Sequence, residues 1–161
     1  MEQGDASNLL CQRRHLEFLQ MTIWSAEFYE SFHGVRPVEA WLVSLHEQKF
    51  AAMDVAILLV LQPKGLSLGD TKWLTALGSG LWEFRVRNTA SEIKAMYSDA
   101  AKDPSKVSEK ILLRLFVHFH GEKMVLLLHG YDKAENNSRQ NQQREIGLAR
   151  KRLMEWKRRV R

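Results

Sequence analysis

The chain has 161 residues, 45% of them hydrophobic, with one cysteine and a net charge of +5. This length and composition fit one well-buried domain, and a single cysteine excludes an intrachain disulfide or a thiolate metal cluster. The N-terminus does not resemble a secretory signal, and the apolar runs 55–61 and 124–128 fall short of the roughly 18–20 residues that span a bilayer. We therefore predict a cytoplasmic protein with no membrane partner.

The first predicted elements are a strand and two helices. Residues 1–20 form a leader without clear register, which we expect to be partly ordered at best, and residues 21–161 form the domain. Alternation over 21–30 predicts a strand. Pro37 suits the first turn of a helix, and a second helix is predicted over 49–61, ending before Pro63. A helical hairpin therefore follows the first strand.

Three predicted strands then carry cations among apolar residues. They cover 81–87, 111–119 and 124–133, and a short turn at 120–123 joins the last two. Strand periodicity places Glu83, Arg85 and Arg87 on one face of the sheet, and Trp82, Phe84 and Val86 on the other. We expect one face to pack a core and the other to hold a polyanion.

The connections and the last helix complete the predicted fold. Residues 64–80 are interpreted as a loop, and 88–110 as an extended hairpin loop with one helical turn around 93–97. After a polar stretch at 134–143, a helix presents a packing stripe of Ile146, Ala149, Leu153, Trp156 and Val160. The order β-α-α-β-β-β-α predicts a single α+β domain, with a small antiparallel sheet, an N-terminal helical hairpin and a C-terminal helix.

Positive charge is concentrated near the C-terminus. Residues 139–161 carry nine Arg or Lys against two Glu, an excess of seven, so the rest of a chain of net charge +5 sums to about −2. Such a concentration favours a polyanionic partner, because neutralising phosphates releases counterions. A solvent-exposed helix face without a polyanionic partner explains the positive charge of this segment, taken alone, equally well.

The residues disfavour metal-dependent chemistry and permit RNA cleavage without a metal. His118 and His120 lie two apart, but the sequence nominates no third ligand, so we predict neither a metal nor a cofactor. Attack of a ribose 2′-hydroxyl on its 3′ phosphate needs a base, an acid and cations for the developing charge. The candidate catalytic residues are Arg85, Arg114, His129 and Lys133.

Each candidate also has a structural explanation that stays open. Arg85 can pair with Glu83 or Glu122, and His129 can be a hydrogen-bonded core residue. In the functional reading, Lys133 or Tyr131 can assist proton transfer or stack on a base. The predicted RNA-binding residues are Arg87, Tyr131, Lys123, Arg139 and Arg144.

Three strings together resemble a known toxin family. They are Arg-Pro-Val-Glu-Ala-Trp-Leu-Val-Ser-Leu at 36–45, Gly-Leu-Trp-Glu-Phe-Arg-Val-Arg at 80–87 and Val-Leu-Leu-Leu-His-Gly-Tyr-Asp-Lys at 125–133. In this order they resemble the HigB branch, of phage-derived toxins, in the RelE/ParE superfamily, over about residues 21–160. The resemblance implies a type II toxin that cuts mRNA on the ribosome. It also implies a cognate antitoxin of helix-turn-helix type and a higher-order complex of the two.

By resemblance, Arg85 and Arg87 lie on the strand that holds the RNA backbone, and Arg114 contacts a phosphate from the next strand. Tyr131 and Lys133 close the last strand. The sequence departs from the family pattern at Ala134, where relatives often have a second lysine, and at Glu83, where some have a cation. Two other functions therefore stay open: a ParE-like toxin that acts on DNA gyrase, and a catalytically degenerate member that serves as a binding module.

Overall fold

The computed structural model describes residues 23–98 and 110–160, so the leader lies outside the described residues. Within these ranges a five-stranded sheet carries four α-helices. The strands are β1 Ser25–Phe28, β2 Leu74–Gly78, β3 Leu81–Val86, β4 Leu113–His120 and β5 Met124–Asp132. The helices are α1 Pro37–Ser44, α2 Glu47–Ala56, α3 Ala90–Tyr97 and α4 Arg139–Arg159. The prediction of an α+β class with a helical hairpin and a C-terminal helix is confirmed.

The sheet has the order β1-β5-β4-β3-β2 and is mostly antiparallel, since only β1 and β5 run parallel. Helices cover both of its faces. Phe84 and Val86 lie in the larger core with α1 and α2, as the period of two in β3 predicts. The opposite face is not open, because Leu81, Phe116 and Leu128 on that face pack with Ala149 and Leu153 of α4.

The prediction of a loop over 64–80 is wrong in two places. This segment contains a short 3₁₀ helix, Gly65–Asp70, and the edge strand β2, which pairs with β3. The sequence of β2 is Leu-Thr-Ala-Leu-Gly, with a further glycine two residues later. Five residues with weak alternation give little indication of a strand in the sequence. The hydrogen bonds and side-chain contacts with β3 stabilise the strand instead.

The second predicted helix does not end at residue 61. A π-helical turn, Ile57–Leu61, continues α2 into a last α-helical turn, Gln62–Lys64. Pro63 follows the π-helical turn directly, so the irregular hydrogen bonding of the helix lies where proline removes a backbone donor. By length and composition alone the stretch Glu47–Asp70 is apolar enough to cross a membrane, a test that core helices of globular proteins also pass. Here Ala52, Met53 and Val60 are fully buried in the larger core.

The connection after β3 holds a two-turn helix rather than a single turn. Thr89 accepts a hydrogen bond from Glu92 N at 3.2 Å, and Glu92 accepts one from Thr89 N at 3.4 Å, so the pair forms a capping box. Thr-x-x-Glu is a recognised start signal in sequence and could have found α3. The rest of the predicted loop, residues 99–109, lies outside the described part of the chain.

The last helix starts earlier than predicted. Ser138 caps α4 by accepting a hydrogen bond from Asn141 N at 3.1 Å, so the helix begins inside the predicted polar stretch. Ala149 and Leu153 of the predicted stripe are buried, whereas Val160 is 51% exposed and follows the helix.

Beneath α1, a Cβ on Gly130 of β5 would lie 2.2 Å from Trp41 Cζ3, so only glycine lets α1 pack this closely.

Candidate functional site

Strand register brings three of the predicted residues into one row. Arg85 of β3 lies opposite Arg114 of β4, and Arg114 lies opposite Tyr131 of β5. Directly opposed residues of antiparallel strands have Cα atoms about 4.5–5.5 Å apart. The row Arg85–Arg114–Tyr131 therefore crosses the sheet on the face that α4 partly covers.

One buried carboxylate lies next to both arginines of the row. Arg85 Nε donates to Glu83 Oε1 at 2.7 Å, and Arg114 Nε lies 3.5 Å from the same oxygen. Glu83 has no exposed surface, and Arg114 is 3% exposed. Burial lowers the pKa of Arg114, while the charge of Glu83 acts in the opposite direction. Two guanidiniums share one carboxylate, which leaves an excess of one positive charge.

Several buried polar atoms in and beside the row lack a hydrogen-bond partner in the described part of the protein. Glu83 Oε2, Arg114 Nε and Tyr131 Oη are buried without a hydrogen-bond partner among the described residues. Arg114 Nη1 donates to Leu113 O at 3.2 Å. Burial raises the pKa of Tyr131, so the phenol keeps its proton at neutral pH. Unmet buried polar atoms are costly, so a ligand that reached Arg114 and Tyr131 would gain from pairing with them.

Strand alternation places His129 beside the row, next to a β-bulge. Phe116 pairs with His129 and Val117 with Leu127, so Leu128 is the extra residue in β5. His129 and Tyr131 are two residues apart with regular pairing between them, so they lie on the same face of the sheet, and the ring of His129 stacks on Phe116 with centroids 6.1 Å apart. The structure therefore brings His129 together with the predicted arginines.

Both ring nitrogens of His129 are engaged by α4. Arg152 Nη1 lies 2.9 Å from Nδ1, and Nε2 contacts Glu145 Oε2. Since arginine only donates, Nδ1 accepts, and Nε2 carries the hydrogen that is donated to Glu145. Burial lowers the pKa of His129. Proton exchange by His129 stays a prediction, and it requires the contact with Glu145 to open.

Two further cations lie at the end of the sheet where β3 and β5 finish. Arg87 follows Val86 and is exposed, and Lys133 follows Asp132 and is partly buried. Val86 and Asp132 both pair with Leu113. Arg87 and Lys133 therefore follow β3 and β5 at the same edge of the sheet, on either side of β4.

A buried ion pair absent from the sequence predictions holds the segment with Lys133. Lys49 Nζ of α2 lies 2.5 Å from Asp132 Oδ2. Asp132 Oδ1 accepts from Ala134 N at 2.9 Å, and Lys133 N donates to Leu112 O at 2.9 Å. Residues 49 and 132 are 83 positions apart in the chain, so no local pattern could have paired them.

The other predicted RNA-binding residues do not join the row. Lys123 precedes β5 whereas Lys133 follows it, and a nine-residue strand separates them by about 30 Å. Arg139 and Arg144 are exposed in the first turns of α4.

His118 and His120 are brought together with Trp156 of α4. The two imidazole centroids are 6.1 Å apart, and His118 Nδ1 bonds Gly80 O at 2.7 Å. Among the described residues no group of three His, Cys, Asp or Glu could hold a metal ion.

Acidification below about pH 6.5 is expected to destabilise the fold. Burial lowers the pKa of both His118 and His129 from 6.5. Between 6.5 and these lower folded values the unfolded chain binds more protons than the folded one, so stability falls as the pH falls. Urea unfolding at about pH 7.5 and about pH 5.5 measures the loss.

Two variants control this prediction. His118→Gln should reduce the difference between the two urea midpoints, whereas replacing the exposed His33 by Gln should leave it unchanged. Equal pH dependence in all three proteins would contradict a contribution from His118.

No protein-family model, curated protein or solved structure matches this chain. Membership of the RelE/ParE superfamily therefore stays a prediction from the three sequence strings. The candidate site is therefore defined by the α+β fold and the row Arg85–Arg114–Tyr131 of this chain, and no related protein contributes to it.

Proposed function

We propose that this chain is the toxin of a type II toxin–antitoxin pair and cleaves mRNA on the ribosome without a metal. The observation that carries the proposal is the row Arg85–Arg114–Tyr131, in which two arginines share the single carboxylate of Glu83. The resemblance to HigB-like toxins supports the same function, and the α+β architecture is compatible with a RelE-like fold.

In the proposed reaction the ribose 2′ oxygen attacks the adjacent phosphorus, and the bond from phosphorus to the 5′ oxygen breaks. The products are a 2′,3′-cyclic phosphate and a 5′-hydroxyl, so no water is consumed in this step. The 2′-hydroxyl proton passes to a base, and the leaving 5′ oxygen receives a proton from an acid.

The residues of the site have separate roles in this proposal. Arg85, which is 28% exposed, offers its guanidinium to the phosphate oxygens, and Arg114 adds positive charge beneath them. Lys133 and His129 are the candidates for proton transfer. Glu83 is fully buried beside both arginines, so its role is to orient the guanidiniums rather than to touch RNA.

The proposed partners follow from the same function. They are mRNA on the ribosome in the cytoplasm, and a cognate antitoxin, of helix-turn-helix type, that forms a higher-order complex with the toxin. A short neighbouring reading frame with a helix-turn-helix pattern would support this pairing.

Arg85→Ala is expected to reduce mRNA cleavage by at least about 100-fold, as loss of one donor to a developing oxyanion does. Arg85 is preferable to Arg114, because its side chain is 28% exposed whereas that of Arg114 is 3% exposed, so truncating Arg85 disturbs less buried structure. The assay is a translation reaction with added protein, in which primer extension maps the cuts and end analysis detects the cyclic phosphate.

Arg36→Ala is the matched control. Arg36 also pairs with a carboxylate, Glu30, at 3.0 Å, but it is exposed and precedes α1. We expect full cleavage by this variant. Accumulation of intact wild-type protein without any cleavage would exclude the nuclease, and DNA damage signalling in its place would favour the ParE-like alternative. Antitoxin binding without either effect would favour a degenerate binding module.

A further inference from the structure

The cations of α4 divide into two groups. Members of the first group hold the sheet through backbone carbonyls: Arg150 donates to Leu77 O at 2.6 Å and Gly78 O at 3.1 Å, Arg152 to Leu128 O at 2.9 Å, Lys157 to Ser79 O at 3.4 Å and Arg159 to Glu30 O at 2.6 Å. Members of the second group are exposed and have no hydrogen bond or ion pair within the described part of the chain: Arg139, Arg144, Lys151 and Arg158.

Three cations of the second group lie along one line of the helix. Arg144, Lys151 and Arg158 are seven residues apart, a step that falls only about 20° short of two full turns. They project from α4 on the side opposite the buried Ala149 and Leu153. Successive charges are about 10.5 Å apart along the axis. We call Arg144, Lys151 and Arg158 the outer stripe.

A glycine lies within the outer stripe. Gly147 is exposed, and a Cβ at this position would meet nothing within 4 Å. Packing inside the protein therefore does not require glycine, although glycine is less favourable than alanine in a helix interior. A missing side chain between Arg144 and Lys151 lets the backbone of a ligand approach the helix closely.

We propose that the outer stripe binds the phosphate backbone of double-helical RNA, without sequence preference. The inference rests on the proposed function, because the ribosome presents duplex RNA around the mRNA that the toxin would cut. The stripe lies on the outside of α4, whereas the row Arg85–Arg114–Tyr131 lies on the sheet face that α4 partly covers, with Tyr131 in the core beneath α4. The two surfaces can therefore serve docking and cleavage separately.

Other ligands fit the stripe less well. Single-stranded RNA is held by stacking on aromatic rings, and the one aromatic of α4, Trp156, packs inward against His118 and His120. A protein-binding helix presents a continuous row of apolar anchors, whereas the exposed large apolar residues of the described part of α4, Leu148 and Met154, lie on opposite sides of the outer stripe. Sequence-independent contact with a duplex needs only cations and close approach.

The test is binding of a duplex RNA of about 20 base pairs, measured by fluorescence anisotropy over a range of KCl concentrations. The variant Arg144→Gln/Lys151→Gln/Arg158→Gln is expected to bind at least about tenfold more weakly at low salt. The slope of log affinity against log salt should fall by about two to three, one unit for each phosphate that the variant no longer neutralises.

Two further variants make the test specific. Lys72→Gln/Lys94→Gln/Lys110→Gln removes the same charge from exposed residues outside α4 and should retain most of the affinity and the slope. Gly147→Gln should weaken binding about threefold or more without lowering the thermal midpoint, since glutamine favours helix over glycine.

The proposal is overturned if the stripe variant binds the duplex as wild type does, or if the control triple loses as much affinity and slope as the stripe triple. It is also overturned if the stripe variant loses only binding to the antitoxin. Because the assay measures binding to a duplex, absence of mRNA cleavage would count against the proposed nuclease and leave this result standing.

Discussion

Glu83→Gln is expected to lower the free energy of unfolding by about 3–5 kcal/mol, the usual cost of removing one partner from a buried ion pair. The side chains of Glu83 and Arg114 are 1% and 3% exposed. Without the carboxylate, Arg114 remains buried, and burial already lowers its pKa. A domain of this size has a total stability of about 5–15 kcal/mol, so the loss should be evident in urea unfolding.

Two comparisons separate the charge effect from a general loss of packing. Glu83→Gln/Arg114→Met removes both charges and should be less destabilised than the sum of the two single variants, a coupling that a double-mutant cycle measures. Glu39→Gln breaks an exposed contact with Arg36 at 3.6 Å and should leave the urea midpoint nearly unchanged. Strict additivity of Glu83 and Arg114 would show that the pair contributes no coupling.

Lys49→Met is expected to cost a similar amount, about 3–5 kcal/mol, because it leaves Asp132 buried without its cation. The two side chains are 9% and 3% exposed, and their atoms are 2.5 Å apart. Asp132 also accepts the N–H of Ala134, so its displacement should disturb the segment that presents Lys133. Urea unfolding measures the first effect, and the mRNA cleavage assay measures the second.

Rescue distinguishes this pair from a simple packing contact. Lys49→Met/Asp132→Asn leaves no buried charge and should recover part of the lost stability. Lys94→Met, at an exposed position of α3, should have little effect on the urea midpoint. If Lys49→Met unfolds at the same urea concentration as Lys94→Met, the buried pair does not stabilise the fold.

Strand periodicity is sufficient to predict the faces of β3. Phe84 and Val86 are buried in the larger core, and Glu83 and Arg85 lie on the other face, as alternation requires. The second face, which we expect to hold a polyanion, is partly covered by α4, and polyanion binding there stays a prediction. An amphipathic pattern shows which side of an element is apolar but not which other element covers it.

Local signals also explain the errors in element boundaries. Pro63 predicts an end to the second helix, whereas a π-helical turn places this proline at the start of a further helical segment. The capping box of Thr89 and Glu92 is visible in the sequence and marks the start of α3. The pattern of β2 is too weak to be found before its partner β3 is known.

Period and composition within single segments are enough to predict the α+β class, the strands that carry Arg85, Arg114 and Tyr131, and the basic character of α4. Tertiary packing alone brings the three side chains into one row, sets Glu145 and Arg152 against His129, and joins Lys49 to Asp132. Strand register and the packing of α2 and α4 on the sheet determine those contacts. They join residues far apart in the chain, on which no local pattern bears.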